Sequence, residues 1–386
     1  MLTYEYDIET YQELLLFCFQ NHYNENDVII FEVSKNKNEL QDLVDFILSS
    51  KKRIITFNGI HFDSLITNYI VSNIHVLKIL PALDIISHIY NVAQSVINEE
   101  LTYNKYKYHN LYEEIDLFLL VSKGLRISKK LSLKFYAYNL DMDIMEMPVP
   151  HNKIGLTDED IELVKKYVKQ DVNVTKALAL KKKEEINLRI WIRKEYKLNC
   201  LSWDAPKIAS ELLLDSYCKK TLPNNLTLHE YKNQIKNRRY EKPSNIKLGN
   251  FIPNIQFKTK QFQDLYNEIC NSCNTFSKEV IIRNPDNTNI KIQYSNGGLH
   301  GVQENDKYIS DEEFIYVECD YASLYPNLYI NYNFNSPFFG SHLVDTEKEI
   351  LKQRLDAKRN GRKTEDTTKK LILNSYSRKN LLLISI

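Results

Sequence analysis

Two acidic residues near the start of the chain, Asp7 and Glu9, have a spacing that suits metal-ion chemistry. They lie two positions apart in a stretch that reads as a β-strand, so both side chains project from the same face of that strand. Two neighbouring carboxylates repel each other unless a cation lies between them. Because a lone Asp-x-Glu pair is usually a solvent-facing pair, a metal site here requires further acidic residues.

Two further motifs supply a third and a fourth carboxylate. Asp63 ends the segment NGIHFD, residues 58–63, at a predicted strand-to-helix junction. Tyr167 and Asp171 are four residues apart, which places the phenol and the carboxylate on one face of a predicted helix. Several hard oxygen ligands in one place are what divalent cations bind. His61 is interpreted as a surface or packing residue rather than a ligand.

The elements that must position these residues predict an α/β domain. Apolar periodicity predicts strands over 2–8, 13–19, 27–33 and 53–57 and helices over 38–48 and 61–71. Thr157 is a hydroxyl N-cap followed by carboxylates, which predicts the start of a helix carrying Tyr167. The charged run 181–197 predicts a long solvated helix leading out of the domain. Three strands, a helix, a strand and a helix make a layout of the ribonuclease H type.

In this order the three acidic motifs resemble the proofreading motifs of the DEDDy 3′–5′ exonucleases. The resemblance implies two-metal hydrolysis of a phosphodiester, in which one ion activates water and the other steadies the leaving oxygen. It implies that two Mg²⁺ or Mn²⁺ ions would be held by four carboxylates: Asp7, Glu9, Asp63 and Asp171.

The same resemblance assigns roles around the metal ions. Tyr167 would position the attacking water. Asn58 and Phe62 would contact the frayed 3′ end of DNA, as a polar group and a stacking platform. Asp116 is interpreted as a hydrogen-bonding residue rather than a fifth metal ligand.

A glycine pair begins a second group of motifs. Tyr294 precedes Gly297 and Gly298, and adjacent glycines allow close approach of the backbone to another chain or a phosphate. The stretch resembles the Y-x-G-G element of family B DNA polymerases. That resemblance implies that these three residues would contact primer-template DNA.

The next stretch resembles motif A of the same family. The alternating run 314–319 predicts a strand that ends at Asp320, and Tyr325 lies in the following sequence DYASLYP. The resemblance implies that Asp320 would bind a metal ion of the polymerase palm. It also implies that Tyr325 would pack under the sugar of the incoming nucleotide.

The segment 347–370 predicts a short helical hairpin that carries basic residues. Arg354 and Lys358 are four apart, and Lys370 and Asn374 fit the Lys-x-x-x-Asn-Ser pattern of motif B in the family. By resemblance these residues would bind deoxynucleoside triphosphates. A solvated helix explains Arg354 and Lys358 equally well.

The motif B pattern breaks after Ser375. The family continues with a tyrosine and a glycine and later adds a second aspartate strand, for which the sequence leaves no room. We therefore expect an incomplete polymerase site, a tail of different origin after Ser375, and a second polypeptide carrying the rest of the palm.

The predicted fold class is α/β, with a ribonuclease H-like exonuclease domain followed by an incomplete α+β palm with a short helical fingers hairpin. The predicted parts are 1–185 for the exonuclease domain, 186–290 for a connecting region beside the DNA cleft, 291–346 for the N-terminal part of the palm, and 347–386 for the hairpin and tail. The predicted function is the N-terminal portion of a replicative DNA polymerase of phage or plasmid type with proofreading. Two alternatives stay open: a stand-alone 3′–5′ exonuclease and a non-catalytic DNA-binding remnant.

Bulk composition limits the class of protein without identifying a partner. Lys+Arg 51 against Asp+Glu 50 gives a net charge of +1, so no global basic signature indicates nucleic acid. Cys270 and Cys273 form a lone Cys-x-x-Cys pair, which predicts neither a disulfide framework nor a zinc site. No apolar run is long enough to predict a membrane span, and we expect a cytoplasmic protein, in a bacterial host if a phage encodes it.

Overall fold

The computed structural model describes residues 1–98, 111–122, 131–238, 247–250, 254–273, 276–283, 289–295, 298–303, 309–333 and 339–375. The chain forms two compact units. The first contains the described residues of Met1–Tyr217 and Lys348–Tyr376, and the second contains those of Cys218–Glu347.

A mixed five-stranded sheet forms the centre of the first unit. Its strands are β1 (Leu2–Thr10), β2 (Leu15–Asn21), β3 (Val28–Val33), β4 (Lys52–Thr56) and β5 (Glu113–Asp116). Their order across the sheet is β3-β2-β1-β4-β5. Strand β2 is antiparallel to β1 and β3, whereas β4 is parallel to β1 and β5. The four predicted strands are confirmed with small shifts in their bounds, and β5 is an addition that the periodicity did not predict.

Helices cover both faces of this sheet and continue through the rest of the chain. They are α1 (Leu40–Leu48), α2 (Asp63–Leu77), α3 (Ala82–Ile97), α4 (Leu117–Ser122), α5 (Leu133–Asn139), α6 (Asp158–Lys181), α7 (Lys183–Tyr196), α8 (Ala205–Thr221), α9 (Leu228–Asn237), α10 (Lys260–Asn271), α11 (Leu324–Asn331), α12 (Ser341–Arg359) and α13 (Lys363–Ser375). The α/β class is therefore confirmed for the first unit. Within the described part of the chain, no helix combines the length and apolar character needed to cross a bilayer.

Strand β1 separates two environments because its side chains alternate. Tyr4, Tyr6 and Ile8 are buried in a core that also contains residues of α1, α2 and α3. The opposite face of β1 carries Asp7 and Glu9 and lies toward α6. An apolar face thus anchors the strand, and the acidic face lies toward α6.

Helix α6 has the start and the buried face that the sequence predicts. The Thr157 side chain accepts a hydrogen bond from the backbone of Asp160, and the Asp160 side chain accepts one from the backbone of Thr157. One stripe of α6 packs against β2 in a second core cluster, to which it contributes Ile161, Val164, Val168 and Val172. This packing fixes the rotation of α6 above the sheet.

The prediction of a solvated helix over 181–197 is wrong in one respect. Helix α7 does occupy this run, but Ile186 and Ile192 are buried. Arg189 is buried as well, and its guanidinium donates to the carbonyl oxygens of Trp203 and Glu185. Although most residues of this run are charged or polar, its apolar residues recur at helical spacing and form a buried stripe. Helix α7 therefore packs within the first unit.

The second unit contains a three-stranded antiparallel sheet. Its strands, in the order β6-β7-β8, are β6 (Ser277–Arg283), β7 (Asn289–Ser295) and β8 (Gly298–Gln303). The predicted strand over 314–319 is wrong. This segment is irregular, and the side chains of Phe314 and Ile315 are 70% and 81% exposed. Alternation alone does not make a strand, since a ladder needs a neighbour, and no described strand pairs with this segment.

The predicted helical hairpin is confirmed, with longer helices than predicted. Helices α12 and α13 are joined at Gly361, which has a φ of 68° in the left-handed region that glycine adopts without strain. Arg354 of α12 and Asp366 of α13 form an ion pair at 3.0 Å, which ties the two helices together.

Candidate metal site

Three carboxylates meet in the space between β1 and α6. Asp7 and Glu9 come from alternate positions of β1, and Asp171 comes from α6. Their metal-binding oxygen atoms lie within 4.8 Å of one another, and Glu9 is buried. The prediction that Asp7 and Glu9 share one face is confirmed, and α6 places its own acid opposite them.

Tyr167 lies one helical turn before Asp171 on the same face of α6. The residue is buried, and its hydroxyl lies near enough to the Asp171 carboxylate to lower the pKa of that group against the effect of burial. The prediction that the phenol and the carboxylate share one face of the helix is confirmed. The phenol therefore lies at the edge of the acidic cluster.

Asp63 lies beside the three-carboxylate group rather than within it. It is the first residue of α2 and is buried. Its Oδ1 accepts a hydrogen bond from the backbone N–H of Ile8 at 3.1 Å, between the two acidic residues of β1. Its charge is close enough to raise the pKa values of Asp7 and Glu9. His61 is exposed, in agreement with its interpretation as a surface residue.

The electrostatics of the cluster favour a bound cation. Burial raises the pKa of Glu9 to about 8, that of Asp63 to about 7 and that of Asp171 to about 6. Burial also raises the pKa of Asp7 well above its ordinary value, and the charges of Asp63 and Glu9 add to the effect. Buried acids that repel one another are stabilised when a positive charge enters between them.

The chemistry of the donor set fits a hard divalent cation. All four candidates are carboxylates, and oxygen ligands of this kind suit Mg²⁺ and Mn²⁺. Asp7, Glu9 and Asp171 come from two rigid elements whose separation is fixed by the packing of α6 on the sheet. The arrangement therefore holds its ligands together without relying on loops.

The loop before Asp63 has a defined shape. Asn58 adopts a left-handed φ of 69°. The Asp116 carboxylate accepts hydrogen bonds from the N–H groups of Asn58 and Ile60, at 2.8 and 3.3 Å, and from that of Phe118 at 3.0 Å. Asp116 is thus a hydrogen-bonding residue, as predicted. Phe62 is partly buried against the core beneath α2, and Asn58 is partly exposed.

Gly59 is required where this loop passes over β4. A Cβ at Gly59 would lie 2.5 Å from the Cβ and Oγ1 of Thr56. We expect Gly59→Ala to lower the free energy of unfolding by about 1–3 kcal/mol, because Thr56 is buried and has no room to withdraw. Urea unfolding measures this change, and Gly155→Ala is a contrasting variant, since open space surrounds Gly155 and only its φ of 73° opposes a side chain.

Two side chains near the cluster, those of Glu114 and Lys134, make interactions that the sequence did not predict. Glu114 accepts a hydrogen bond from Thr56 and lies near Ser64, the residue that follows Asp63. The positive charge of Lys134 on α5 lowers the pKa of Asp171 against the effect of burial. The signal for Glu114 was present as a second pair of acids two apart, Glu114 and Asp116, but it lies on a four-residue strand too short to recognise by periodicity.

The residues of the Y-x-G-G-like element and motif A lie in the second unit. Tyr294 is on β7 and Gly298 begins β8, while Gly297 lies outside the described residues. Asp320 is exposed, and Tyr325 on α11 is 49% exposed. Their predicted polymerase roles stay predictions.

The basic residues of the hairpin lie in the first unit. Arg354 is engaged by Asp366, so its charge is partly neutralised. The other three predicted nucleotide-binding residues are exposed: Lys358, Lys370 and Asn374. Binding of a triphosphate by these side chains also stays a prediction.

Comparisons with protein-family models, curated proteins and solved structures find no match to this chain. The geometry of the carboxylates between β1 and α6 is therefore the firmest guide to function.

Proposed function

We propose that the first unit is a metal-dependent 3′–5′ exonuclease that acts on single-stranded ends of DNA. The observation that carries this proposal is the convergence of Asp7, Glu9 and Asp171 within 4.8 Å, with Asp63 at their side. Four acids with raised pKa values in one place have no structural benefit of their own, since they repel one another. Such clusters are a mark of functional sites.

In this proposal the four carboxylates hold two Mg²⁺ or Mn²⁺ ions. Such ions supply an activated water and stabilise the leaving oxygen of a phosphodiester. Asp7, Glu9 and Asp171 provide the ligands that meet between β1 and α6, and Asp63 provides a ligand from the start of α2.

The neighbouring side chains orient the substrate and water. The Tyr167 hydroxyl, which lies beside the Asp171 carboxylate, would hydrogen-bond the attacking water. Asn58 and Phe62 flank Asp63 and would contact the terminal nucleotide of the strand. Lys134, which is paired with Glu146 at 2.5 Å and lies near Asp171, would exchange that exposed partner for the phosphate backbone.

Tyr167→Phe tests the role of the phenol. We expect the rate of DNA degradation to fall by about 100-fold, because the water loses one hydrogen-bonding group while the metal ligands stay in place. The affinity for Mn²⁺ should change less than twofold. Single-turnover kinetics at saturating Mn²⁺ measure the rate. If Tyr167→Phe also loses Mn²⁺ binding, the proposal that Tyr167 acts only on the attacking water is contradicted.

We further propose that the whole chain is the N-terminal portion of a family B DNA polymerase with proofreading. The resemblance of motifs A and B in family order supports this proposal, with primer-template DNA and deoxynucleoside triphosphates as partners. Asp320 would then be one of the two palm carboxylates, and a second polypeptide would complete the palm.

One experiment separates an active exonuclease from a non-catalytic remnant and tests whether the chain can extend a primer alone. A 5′-labelled primer on a template is incubated with the protein and Mn²⁺, with and without all four deoxynucleoside triphosphates. We expect shortening of the primer in both cases and no extension. Extension that Asp320→Ala removes would show a self-sufficient polymerase, and binding of DNA with no shortening would favour a non-catalytic remnant.

A further inference from the structure

Strand β5 lies directly behind the loop that carries Asp63. Glu114 and Asp116 occupy alternate positions of β5 and face this loop. Asp116 holds the backbone of the loop through the N–H groups of Asn58 and Ile60. Glu114, by contrast, contacts side chains on either side of the loop.

The first of these contacts is before the loop. The Oγ1 of Thr56, the last residue of β4, donates to Oε1 of Glu114 at 3.0 Å. Thr56 is buried and lies against the Cα of Gly59, where a single added carbon would clash. The position of the Thr56 side chain therefore determines how closely the loop at Gly59 can approach β4.

The second contact is after the loop. Ser64 follows Asp63 in the first turn of α2, and its hydroxyl lies near enough to the Glu114 carboxylate to lower the pKa of that group against the effect of burial. Its Oγ also lies 3.0 Å from the hydroxyl of Tyr112, the residue before β5. One carboxylate thus accepts a hydrogen bond from the end of β4 and lies beside the start of α2, with the whole loop between these two points.

We infer that Glu114 is a positioning residue for Asp63, acting through Thr56 and Ser64 rather than on metal or substrate. This inference rests on the proposed exonuclease function. Metal sites need their ligands held within about 0.5 Å, and residues behind the ligands commonly provide that precision. Without the Glu114 carboxylate, the Thr56 hydroxyl loses its acceptor and the Ser64 hydroxyl loses the polar group beside it, so the loop is held less firmly at both ends.

The test compares three variants with the wild-type protein. Glu114→Leu keeps the approximate size and removes the acceptor. Glu114→Gln keeps an acceptor for Thr56 and adds a donor for Ser64. Glu113→Gln is the matched control, because Glu113 is the preceding residue on the same strand and pairs with Arg53 on its other side. Mn²⁺ binding is measured by the loss of the electron paramagnetic resonance signal of free Mn²⁺. DNA degradation is measured as a function of Mn²⁺ concentration.

We expect Glu114→Leu to weaken Mn²⁺ binding about tenfold and to shift the Mn²⁺ dependence of degradation by the same factor. Glu114→Gln and Glu113→Gln should stay within about twofold of the wild type. A residue with only a structural role would lower the unfolding temperature without moving the Mn²⁺ affinity of the folded protein. If Glu114→Leu fails to fold, Thr56→Val removes the same hydrogen bond with little change of shape, and the same shift is expected.

Different results would contradict the positioning role of Glu114 and the exonuclease function. Wild-type affinity for Mn²⁺ in folded Glu114→Leu, or in Thr56→Val where that variant replaces it, would overturn the positioning role and leave the exonuclease intact. A wild-type protein that neither binds Mn²⁺ nor degrades DNA would overturn the exonuclease, and the positioning role with it.

Discussion

Asp7→Asn is expected to lower the rate of Mn²⁺-dependent DNA degradation by about 10³-fold or more, and to raise the unfolding temperature of the metal-free protein. Both effects have one cause. Burial raises the pKa of Asp7, and the nearby charges of Asp63, Glu9 and Asp171 raise it further. The neutral amide removes this repulsion but is a poor ligand for two hard cations.

The size of the stability change follows from the relief of repulsion. Each kcal/mol gained corresponds to about 2–4 °C in a protein unit of this size. Calorimetry in the presence of a chelator measures the unfolding temperature, and degradation of a labelled strand measures the activity.

Glu5→Gln is the matched control for Asp7→Asn. Glu5 lies two positions earlier on the same face of β1, but its carboxylate pairs with His22 at 2.5 Å. We expect its substitution to lower stability, because a buried pair is broken, and to leave degradation within a few-fold of the wild type. Loss of stability in Asp7→Asn, or activity retained there, would contradict the metal-site interpretation of β1.

The stability of the metal-free protein is expected to fall as the pH rises from about 5 to about 8. The folded pKa values of Asp171, Asp63 and Glu9 are about 6, 7 and 8, above those of unfolded chains. The folded protein therefore binds more protons than the unfolded one in this range, so the free energy of unfolding decreases as the pH rises. Below the unfolded pKa values the contribution of these groups is fully present.

Saturating Mn²⁺ should remove or reverse this pH dependence. A bound cation favours the ionised carboxylates, so the metal stabilises the folded state more at pH 8 than at pH 5. Thermal unfolding at several pH values, with Mn²⁺ and with a chelator, measures both curves. A metal-free stability that rises toward pH 8, or an Mn²⁺ effect equal at both ends, would show that these acids do not act as one site.

The sequence predicts the acidic face of β1 well, for a physical reason. Side chains of a strand alternate strictly, so the positions of Asp7 and Glu9 follow once β1 is recognised. The start of α6 is equally local, because the side chains of Thr157 and Asp160 cap the backbone within one turn. Asp171 then falls opposite the strand because the apolar stripe of α6 fixes its rotation.

Interactions that depend on tertiary neighbours were harder to predict. The segment 314–319 has the alternation of a strand but lacks a described pairing partner, and its apolar side chains are exposed. Glu114 looks like an ordinary acid in a short strand, and only the folded chain places it between Thr56 and Ser64. Periodicity records which face is apolar, but not what lies against that face.

The most direct test of the proposed site is the direction of DNA degradation. A single-stranded oligonucleotide, labelled in separate samples at its 5′ end and at its 3′ end, is incubated with the protein and Mn²⁺. We expect the 5′ label to pass through a ladder of successively shorter products, and the 3′ label to appear at once as a mononucleotide. Both reactions should stop when a chelator is added. Release from the 5′ end, internal cleavage, or degradation that continues with chelator would contradict a metal-dependent 3′–5′ exonuclease built on Asp7, Glu9, Asp63 and Asp171.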